Sequence, residues 1–261
     1  MSGERLLARA HAIRVVAALA VRDYLVAGGL WALPWAVLGR SLVEIVFLWT
    51  FSRYVAPDYD PRLAFAGALG FAAVEPTISR MVEVIQPDRQ QGVLHRLHLG
   101  RIPVYGIMVA RAWVYGLEGL VSAVVAGCIA GAAMGYLSVV VSVLPFLVVL
   151  TLSAGGFGLG LASFSLGRTS SPMVGYFAVS VVLLAGGAVP SGAIGGAVTA
   201  VGNALTLRHG LAAARSALVG GPYLTQLFLE LLVGAAWLAA GALICAAETR
   251  RARVGGFEGF E

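Results

Sequence analysis

The chain has 261 residues, of which 59% are hydrophobic and only 12% charged, and its mean hydropathy is +0.87. Soluble domains average roughly 45–50% apolar and about 25% charged residues, so this composition excludes an ordinary soluble domain and favours a polytopic membrane protein. The net charge is +5 and all 18 basic residues are arginine. The absence of lysine, with many alanines, glycines and valines, is typical of GC-rich codon usage and favours a bacterial source. Both cysteines lie in apolar runs, which argues against a disulfide framework.

Residues 1–30 predict an amphipathic helix that lies in the membrane interface. Arginines are interspersed with apolar residues that recur at spacings of three and four, namely Leu6, Ala10, Ile13, Ala17 and Val21. A helix with one apolar stripe and several arginines lies in the headgroup layer instead of crossing it. The alternative is a signal peptide, which the interrupting arginines and the lack of a clean cleavage site disfavour.

Six apolar segments follow, each long enough for the roughly 20 residues that cross a bilayer. They cover residues 31–53, 61–84, 103–133, 138–166, 171–190 and 222–247. Arginines in the connectors and in the C-terminal tail indicate the cytoplasmic side, so both termini are expected inside the cell. Residues 191–221 are too long for a turn and too polar for a span, which predicts a re-entrant hairpin on the outer face.

The connector between the second and third predicted spans carries the most informative pattern, QPDRQQGVLHRLHLGRIP over residues 86–103. It resembles the cytoplasmic helix of bacterial ABC-2 type exporter permeases, which reads Arg-Glu-x-Gly-Thr-Leu-Glu-x-Leu-Leu and ends in a proline turn. Val93 and His95 depart from that pattern. The matching positions are Arg89, Gly92, Leu94, Leu97 and Pro103.

Two segments near the other end of the chain resemble the same family. Residues 186–190 are similar to a Gly-Gly-x-x-Pro motif at the end of the fifth span, although the Leu-Pro that normally follows is replaced by Ile194 and Gly195. Residues 206–218 are similar to Pro-Leu-Thr-His-x-x-x-x-x-Arg-x-x-Leu, with Thr206 in place of proline. The matching positions there are Leu207, His209, Arg215 and Leu218. The resemblance covers nearly the whole chain.

The resemblance implies an all-α, six-span ABC-2 type transmembrane domain over residues 1–261, acting as one half of an ATP-driven exporter in the bacterial inner membrane. Two ATPase subunits, holding ATP and Mg²⁺, and a second permease copy or relative would complete it. Residues 86–103 would form the coupling helix. Its contacts with the ATPase would come from Arg89, Gly92, Val93, Leu94, His95, Arg96 and Leu97.

The residues of this connector support the same interpretation physically. An amphipathic helix with Val93, Leu94 and Leu97 on one side suits a groove in a partner protein. The alternative is a solvated basic loop. The chain contains no lysine and therefore no Gly-x-x-x-x-Gly-Lys-Ser/Thr loop, so it is not expected to bind or hydrolyse ATP itself.

Charged residues inside the predicted spans form a second candidate set, a polar relay of Arg40, Glu44, Glu75, Arg111 and Glu118. A charge at the bilayer centre costs about 2.5–3.5 kcal/mol on insertion scales, so each needs a partner. Arg40 and Glu44 are four residues apart and share a helix face, whereas Arg111 and Glu118 share a face two turns apart. Three interpretations stay open: snorkelling to the interface, a polar cluster that transmits ATPase motion, and a proton relay.

Aromatic and apolar residues of spans one, two and five predict a cavity for a hydrophobic or amphipathic substrate. Its expected lining is Phe47, Phe71, Met173, Tyr176 and Phe177. Lipid contact is the alternative for each of these residues. Neither a metal-ligand set nor a Gly-x-Ser-x-Gly nucleophile is found, so the chain is not expected to be an enzyme, to hold a metal or to bind nucleic acid. A secondary transporter and a membrane scaffold remain alternatives.

Glycines spaced by four predict faces where helices approach closely. The candidates are Gly127, Gly131, Gly135, Gly156 and Gly160.

Overall fold

The structure, a computed structural model, describes residues 3–33, 37–92, 103–166, 171–190 and 196–255, and within these ranges it is helical and contains no β-strand. We number the helices of the described residues in chain order. They are α1 (Gly3–Leu33), α2 (Gly39–Val55), α3 (Pro61–Val82), α4 (Gln86–Gln90), α5 (Val104–Met134), α6 (Leu137–Phe164), α7 (Ser171–Ala185), α8 (Gly196–Ala204), α9 (Arg208–Leu218) and α10 (Leu224–Gly255).

Each of the six predicted apolar segments contains most or all of one helix, namely α2, α3, α5, α6, α7 or α10. Three helices of the described chain are long and apolar enough to cross a membrane: Val104–Met134, Leu137–Phe164 and Leu224–Arg251. By comparison, α2 has 17 residues and α7 has 15, while α3 carries three charged residues in its 22. The all-helical class is therefore confirmed for the described residues, the three apolar helices support a membrane protein, and the count of six spans stays a prediction.

The N-terminal segment forms one helix, and this helix is longer than predicted. It continues through Leu33, into the segment assigned to the first span, and α2 takes up the rest of that segment from Gly39. α1 packs against α5, where the rings of Tyr24 and Tyr115 meet edge to face with centroids 5.9 Å apart.

Helix α3 forms the centre of the bundle and packs most extensively against α2, α5, α6 and α7. Every residue from Ala64 to Ile78 is buried, including the fully enclosed side chains of Phe65 and Leu69. Small residues alternate with large ones along this stretch, which lets four neighbours approach it from different sides. Residues on α3 are thus in a position to contact charged groups on several other helices.

Helices α6 and α10 approach each other closely, and glycines make the approach possible. A Cβ atom on Gly156 would lie 2.3 Å from the carbonyl oxygen of Gly234, and one on Gly241 would lie 3.0 Å from the Cα of Gly160. Real Cβ atoms do not come that near to backbone, so a larger residue at either place would push the helices apart. The close approach predicted from the spacing of Gly156 and Gly160 is confirmed.

The two connectors with family-like sequence are described only in part. The first contains the short helix α4 and a turn at Gly92, whose φ is +63°, and its residues 93–102 lie outside the described residues. Five of the predicted ATPase contacts therefore fall there: Val93, Leu94, His95, Arg96 and Leu97. The region predicted as a re-entrant hairpin contains α8 and α9, joined by three residues, and α9 packs against α3, α6 and α10.

Candidate functional site

Charged residues of α2 and α3 form a partly buried ion triad. The Arg40 guanidinium lies 3.2 Å from Oε1 of Glu44, one turn further along α2, and also contacts Oε1 of Glu75 on α3. The Glu75 side chain is 3% exposed and its Oε1 also accepts a hydrogen bond of 2.9 Å from the Ser79 hydroxyl. The pairing of Arg40 with Glu44 follows the predicted spacing of four, and Glu75 joins from a second helix.

A second ion pair lies beside this triad and connects α3 to α5. Nη2 of Arg80 is 3.8 Å from Oε1 of Glu118, whose side chain is 2% exposed, whereas the Arg80 side chain is 50% exposed. At that distance the two groups attract each other without a hydrogen bond. The Tyr24 hydroxyl of α1 lies near the same carboxylate and can donate to it, although the two groups do not reach good hydrogen-bond geometry.

Arg111 pairs with the connector and not with Glu118. Its guanidinium contacts Oδ2 of Asp88, a buried residue of α4. This contact joins the start of the 86–103 segment to α5, two turns away from Glu118 along the same helix.

A cavity of about 240 Å³ lies between α2, α3, α5 and α7, next to both ion clusters. Its polar lining comes from Arg40, Ser41, Ser79, Arg80, Glu83 and Glu118. Its apolar lining comes from Val37, Pro76 and Tyr176. The cavity lining therefore combines charged and apolar groups, a combination that suits an amphipathic molecule.

Several buried carboxylate oxygens near this cavity have no hydrogen-bond donor. Among the described residues, Oε2 of Glu44, Oε2 of Glu75 and both carboxylate oxygens of Glu118 are buried and accept no hydrogen bond. A buried acceptor without a donor costs about 1–3 kcal/mol, and more when it is charged. The guanidinium groups of Arg40 and Arg80 are half exposed, so water can hydrate them. The unsatisfied groups are thus the carboxylates.

The five predicted substrate-cavity residues are not brought together. Tyr176 lines the cavity, while Phe71 is 5% exposed inside the bundle. Phe47, Met173 and Phe177 are 61%, 74% and 74% exposed and face away from the helices of this chain. Helical spacing groups residues of one helix on a face, but it does not say which face meets the neighbouring helices.

A fully buried carboxylate elsewhere in the structure holds the turn between α8 and α9. Oε1 of Glu230, on α10, accepts hydrogen bonds of 2.9 Å from both the Thr206 hydroxyl and the Leu207 backbone N–H, and its Oε2 accepts one of 2.8 Å from the Gly210 N–H. Glu230 is 0% exposed. Its negative charge lies at the first turn of α9, where helix dipole and free N–H groups favour an anion.

Two further residues on the same face of α10 fasten this turn. The Trp237 indole N–H donates to the carbonyl of Ala204 at 2.8 Å, and Nδ1 of His209 lies 2.9 Å from the Gln226 side-chain oxygen. Gln226, Glu230 and Trp237 follow at intervals of four and seven residues, which places them on one helix face. These contacts hold Leu207 at φ +93°, the one left-handed non-glycine residue of the described chain.

Arg215 and Asp60 mark the end of the bundle opposite the cavity. The Arg215 guanidinium donates to the carbonyls of Leu63 at 3.4 Å and Ala188 at 3.3 Å. Asp60 caps α3, and the hydrogen bond of 2.8 Å from the Arg62 N–H lowers the pKa of its carboxyl. Both family-like segments, residues 186–190 and 206–218, therefore contribute to this end.

No family model, no curated protein and no solved structure matches the chain. The described residues also contain no group of three His, Cys, Asp or Glu side chains placed to hold a metal ion.

Proposed function

We propose that this chain is the transmembrane permease subunit of an ATP-driven ABC exporter that moves a hydrophobic or amphipathic substrate out of a bacterial cell. The contact between Arg111 and Asp88 carries the proposal. Asp88 lies near the start of the segment whose sequence resembles a coupling helix, so a displacement of that segment would pull on α5.

Ion pairs continue from α5 toward the other helices. Glu118 lies two turns from Arg111 on α5 and faces Arg80 of α3, one turn and a half from Glu75, which contacts Arg40 of α2. Coupling between distant sites can be carried by ion pairs and rigid helices that have two discrete arrangements. We propose that movement of the connector rearranges these pairs and thereby opens or closes the cavity between α2, α3, α5 and α7.

In the proposed transporter α2, α3, α5, α6, α7 and α10 are the six spans, and both termini lie in the cytoplasm. α2 and α7 are short for a bilayer of about 30 Å, a mismatch that tilting of neighbours and local thinning accommodate. Two permease copies, or this chain with a related one, face each other above two ATPase subunits. ATP and Mg²⁺ bind in those partner subunits.

An ion-gradient transporter is the second candidate, and the unsatisfied oxygens of Glu44, Glu75 and Glu118 favour it. Buried carboxylates inside a membrane commonly carry protons in pumps and transporters. That function requires no ATPase partner.

Affinity purification of the tagged full-length chain from membranes of its native host tests the choice. We expect peptides of a protein with a Gly-x-x-x-x-Gly-Lys-Ser/Thr loop in the purified complex, ATP turnover by that complex, and two permease copies per particle on native electrophoresis. A lone permease that moves substrate in vesicles under a proton gradient without nucleotide would contradict the proposal and support the second candidate.

A further inference from the structure

Glu118 is a buried carboxylate that has the Tyr24 hydroxyl nearby but no hydrogen bond of good geometry. Both of its carboxylate oxygens are buried without a hydrogen bond, its side chain is 2% exposed, and it lines the 240 Å³ cavity. Lining a cavity distinguishes Glu118 from Glu44, whose free oxygen does not border this space. A carboxylate in that situation has the greatest capacity for hydrogen bonds from a molecule that enters.

Arg80, the neighbouring cation, does not satisfy this capacity. Its nearest nitrogen is 3.8 Å from Glu118, beyond a charge-assisted hydrogen bond of about 2.7–2.9 Å. Half of the Arg80 side chain is exposed, so the guanidinium is free to turn toward water. Arg80 thus acts as a loosely held counter-ion that a better-placed cation displaces.

The balance of charge around the cavity favours a cation over an anion. The lining itself is balanced, with Arg40 and Arg80 against Glu83 and Glu118, but Glu44 and Glu75 contact Arg40 from outside the lining and make the surroundings net negative. Arg40 is already engaged by two of these carboxylates. Among biological cations, an ammonium group brings three N–H donors to acceptors that lack them.

The remaining lining indicates what the ammonium is attached to. Ligand pockets for whole drug-sized molecules measure about 300–1,000 Å³, so a space of 240 Å³ takes a head group and leaves the rest of the molecule outside. Val37, Pro76 and the Tyr176 ring form its apolar side. Tyr176 is 63% exposed, so its ring is accessible to a cation or to an apolar tail.

We propose that this cavity binds the ammonium head of an amphipathic amine, with Glu118 as its anionic partner and Tyr176 beside its tail. The inference rests on the proposed export function and names its substrate class. Arg80 is the counter-ion of Glu118 when no amine is bound, and the amine displaces it on entering the cavity.

Binding to the full-length protein in lipid nanodiscs tests this inference without any ATPase. The probe is dansylcadaverine, a primary ammonium on an apolar fluorophore, and its N-acetylated form is the matched neutral control. We expect saturable binding of the amine and at least tenfold weaker binding of the acetylated form. Equal binding of the two, or no saturable binding of the amine, would overturn the proposal.

Two substitutions at the ion pair should act in opposite directions. Glu118→Gln should weaken amine binding at least tenfold, while Arg80→Gln should strengthen it severalfold because the competing cation is gone. Glu248→Gln, which changes a carboxylate in the C-terminal part of α10, should leave affinity within twofold. Unchanged affinity in Glu118→Gln would overturn the assignment, as would weaker binding in folded Arg80→Gln.

An anionic probe separates the remaining alternative. Dansylglycine should bind poorly, and tight binding of it that is lost in Arg80→Gln would overturn the proposal in favour of an anion site. Should Glu118→Gln fail to fold, the sign of the Arg80→Gln effect decides. Amine binding without an ATPase partner would remove only the export proposal, and an ATPase partner without amine binding would remove only this substrate class.

Discussion

Replacing Glu230 with glutamine should loosen the turn between α8 and α9 from α10. The glutamine oxygen can still accept from the Thr206 hydroxyl and the Leu207 N–H, as Oε1 of Glu230 does. Its NH₂ group, however, would face the Gly210 N–H, which now donates to Oε2 at 2.8 Å. One buried donor is then left without an acceptor.

The size of this effect follows from these contacts. An unsatisfied buried donor costs about 1–3 kcal/mol, and losing a negative charge at a helix N-terminus adds roughly 0.3–1 kcal/mol. We therefore expect Glu230→Gln to lower the free energy of unfolding by roughly 1–4 kcal/mol. Glu230→Ala leaves all three donors unsatisfied and should cost clearly more. Total stabilities are about 5–15 kcal/mol, so either loss is large.

Unfolding by SDS in mixed micelles, followed by circular dichroism, measures this difference. The matched control is Glu248→Gln on the same helix, whose pair with Arg251 at 3.0 Å is surface exposed and should contribute within about 0.5 kcal/mol. If Glu230→Gln and Glu230→Ala both unfold at the wild-type SDS fraction, Glu230 does not fasten the turn and the reasoning fails.

Three further substitutions test other contacts. Gly156→Val should separate α6 from α10, because its Cβ would lie 2.3 Å from the Gly234 carbonyl oxygen. The free energy of unfolding in SDS should fall by about 1–3 kcal/mol, and an unchanged value would contradict the close approach. Asp88→Asn should weaken the contact with Arg111, so deuterium exchange over residues 86–92 should accelerate while α6 stays protected; equal exchange would contradict the link. Asp60→Ala should lower Tm at pH 7, because the folded state lowers the pKa of Asp60 and is therefore stabilised by its ionised form. The difference in Tm between wild type and variant should narrow at pH 3, where that stabilisation is lost as pH falls through the folded-state pKa. A Tm difference that grows at pH 3 would refute the cap.

The helices were predictable from sequence because apolar runs of about 20 residues leave few other choices in a membrane protein. Their ends were less so. α1 runs on through Leu33 because Leu30, Trp31 and Ala32 are compatible with a helix whether or not they belong to a span. The close contact of α6 and α10 was predictable in part, since glycines four apart mark a small face but do not name the partner.

The contacts between helices in the candidate site could not be predicted from the sequence. The spacing of four pairs Arg40 with Glu44, but the contact with Glu75 depends on how α2 and α3 are placed side by side, which no local pattern encodes. For the same reason Arg111 pairs with Asp88 of a different helix. Glu230 is a carboxylate in the apolar run of α10 and therefore needs a partner. Its partners lie in a turn 20 to 24 residues earlier in the chain, which the apolar run does not identify.

The most direct test of the central claim, that residues 86–103 receive motion from an ATPase, is ATP turnover in the complex purified with three versions of the chain. A charge at Leu94 would be buried unpaired in a partner groove, so Leu94→Asp should co-purify little ATPase and show little turnover, while its circular dichroism stays that of the wild type. Gln90→Ala, at an exposed polar position of α4, should retain both. Finding no ATPase with the wild-type chain would contradict the exporter account, and finding equal amounts with Leu94→Asp would contradict this docking face.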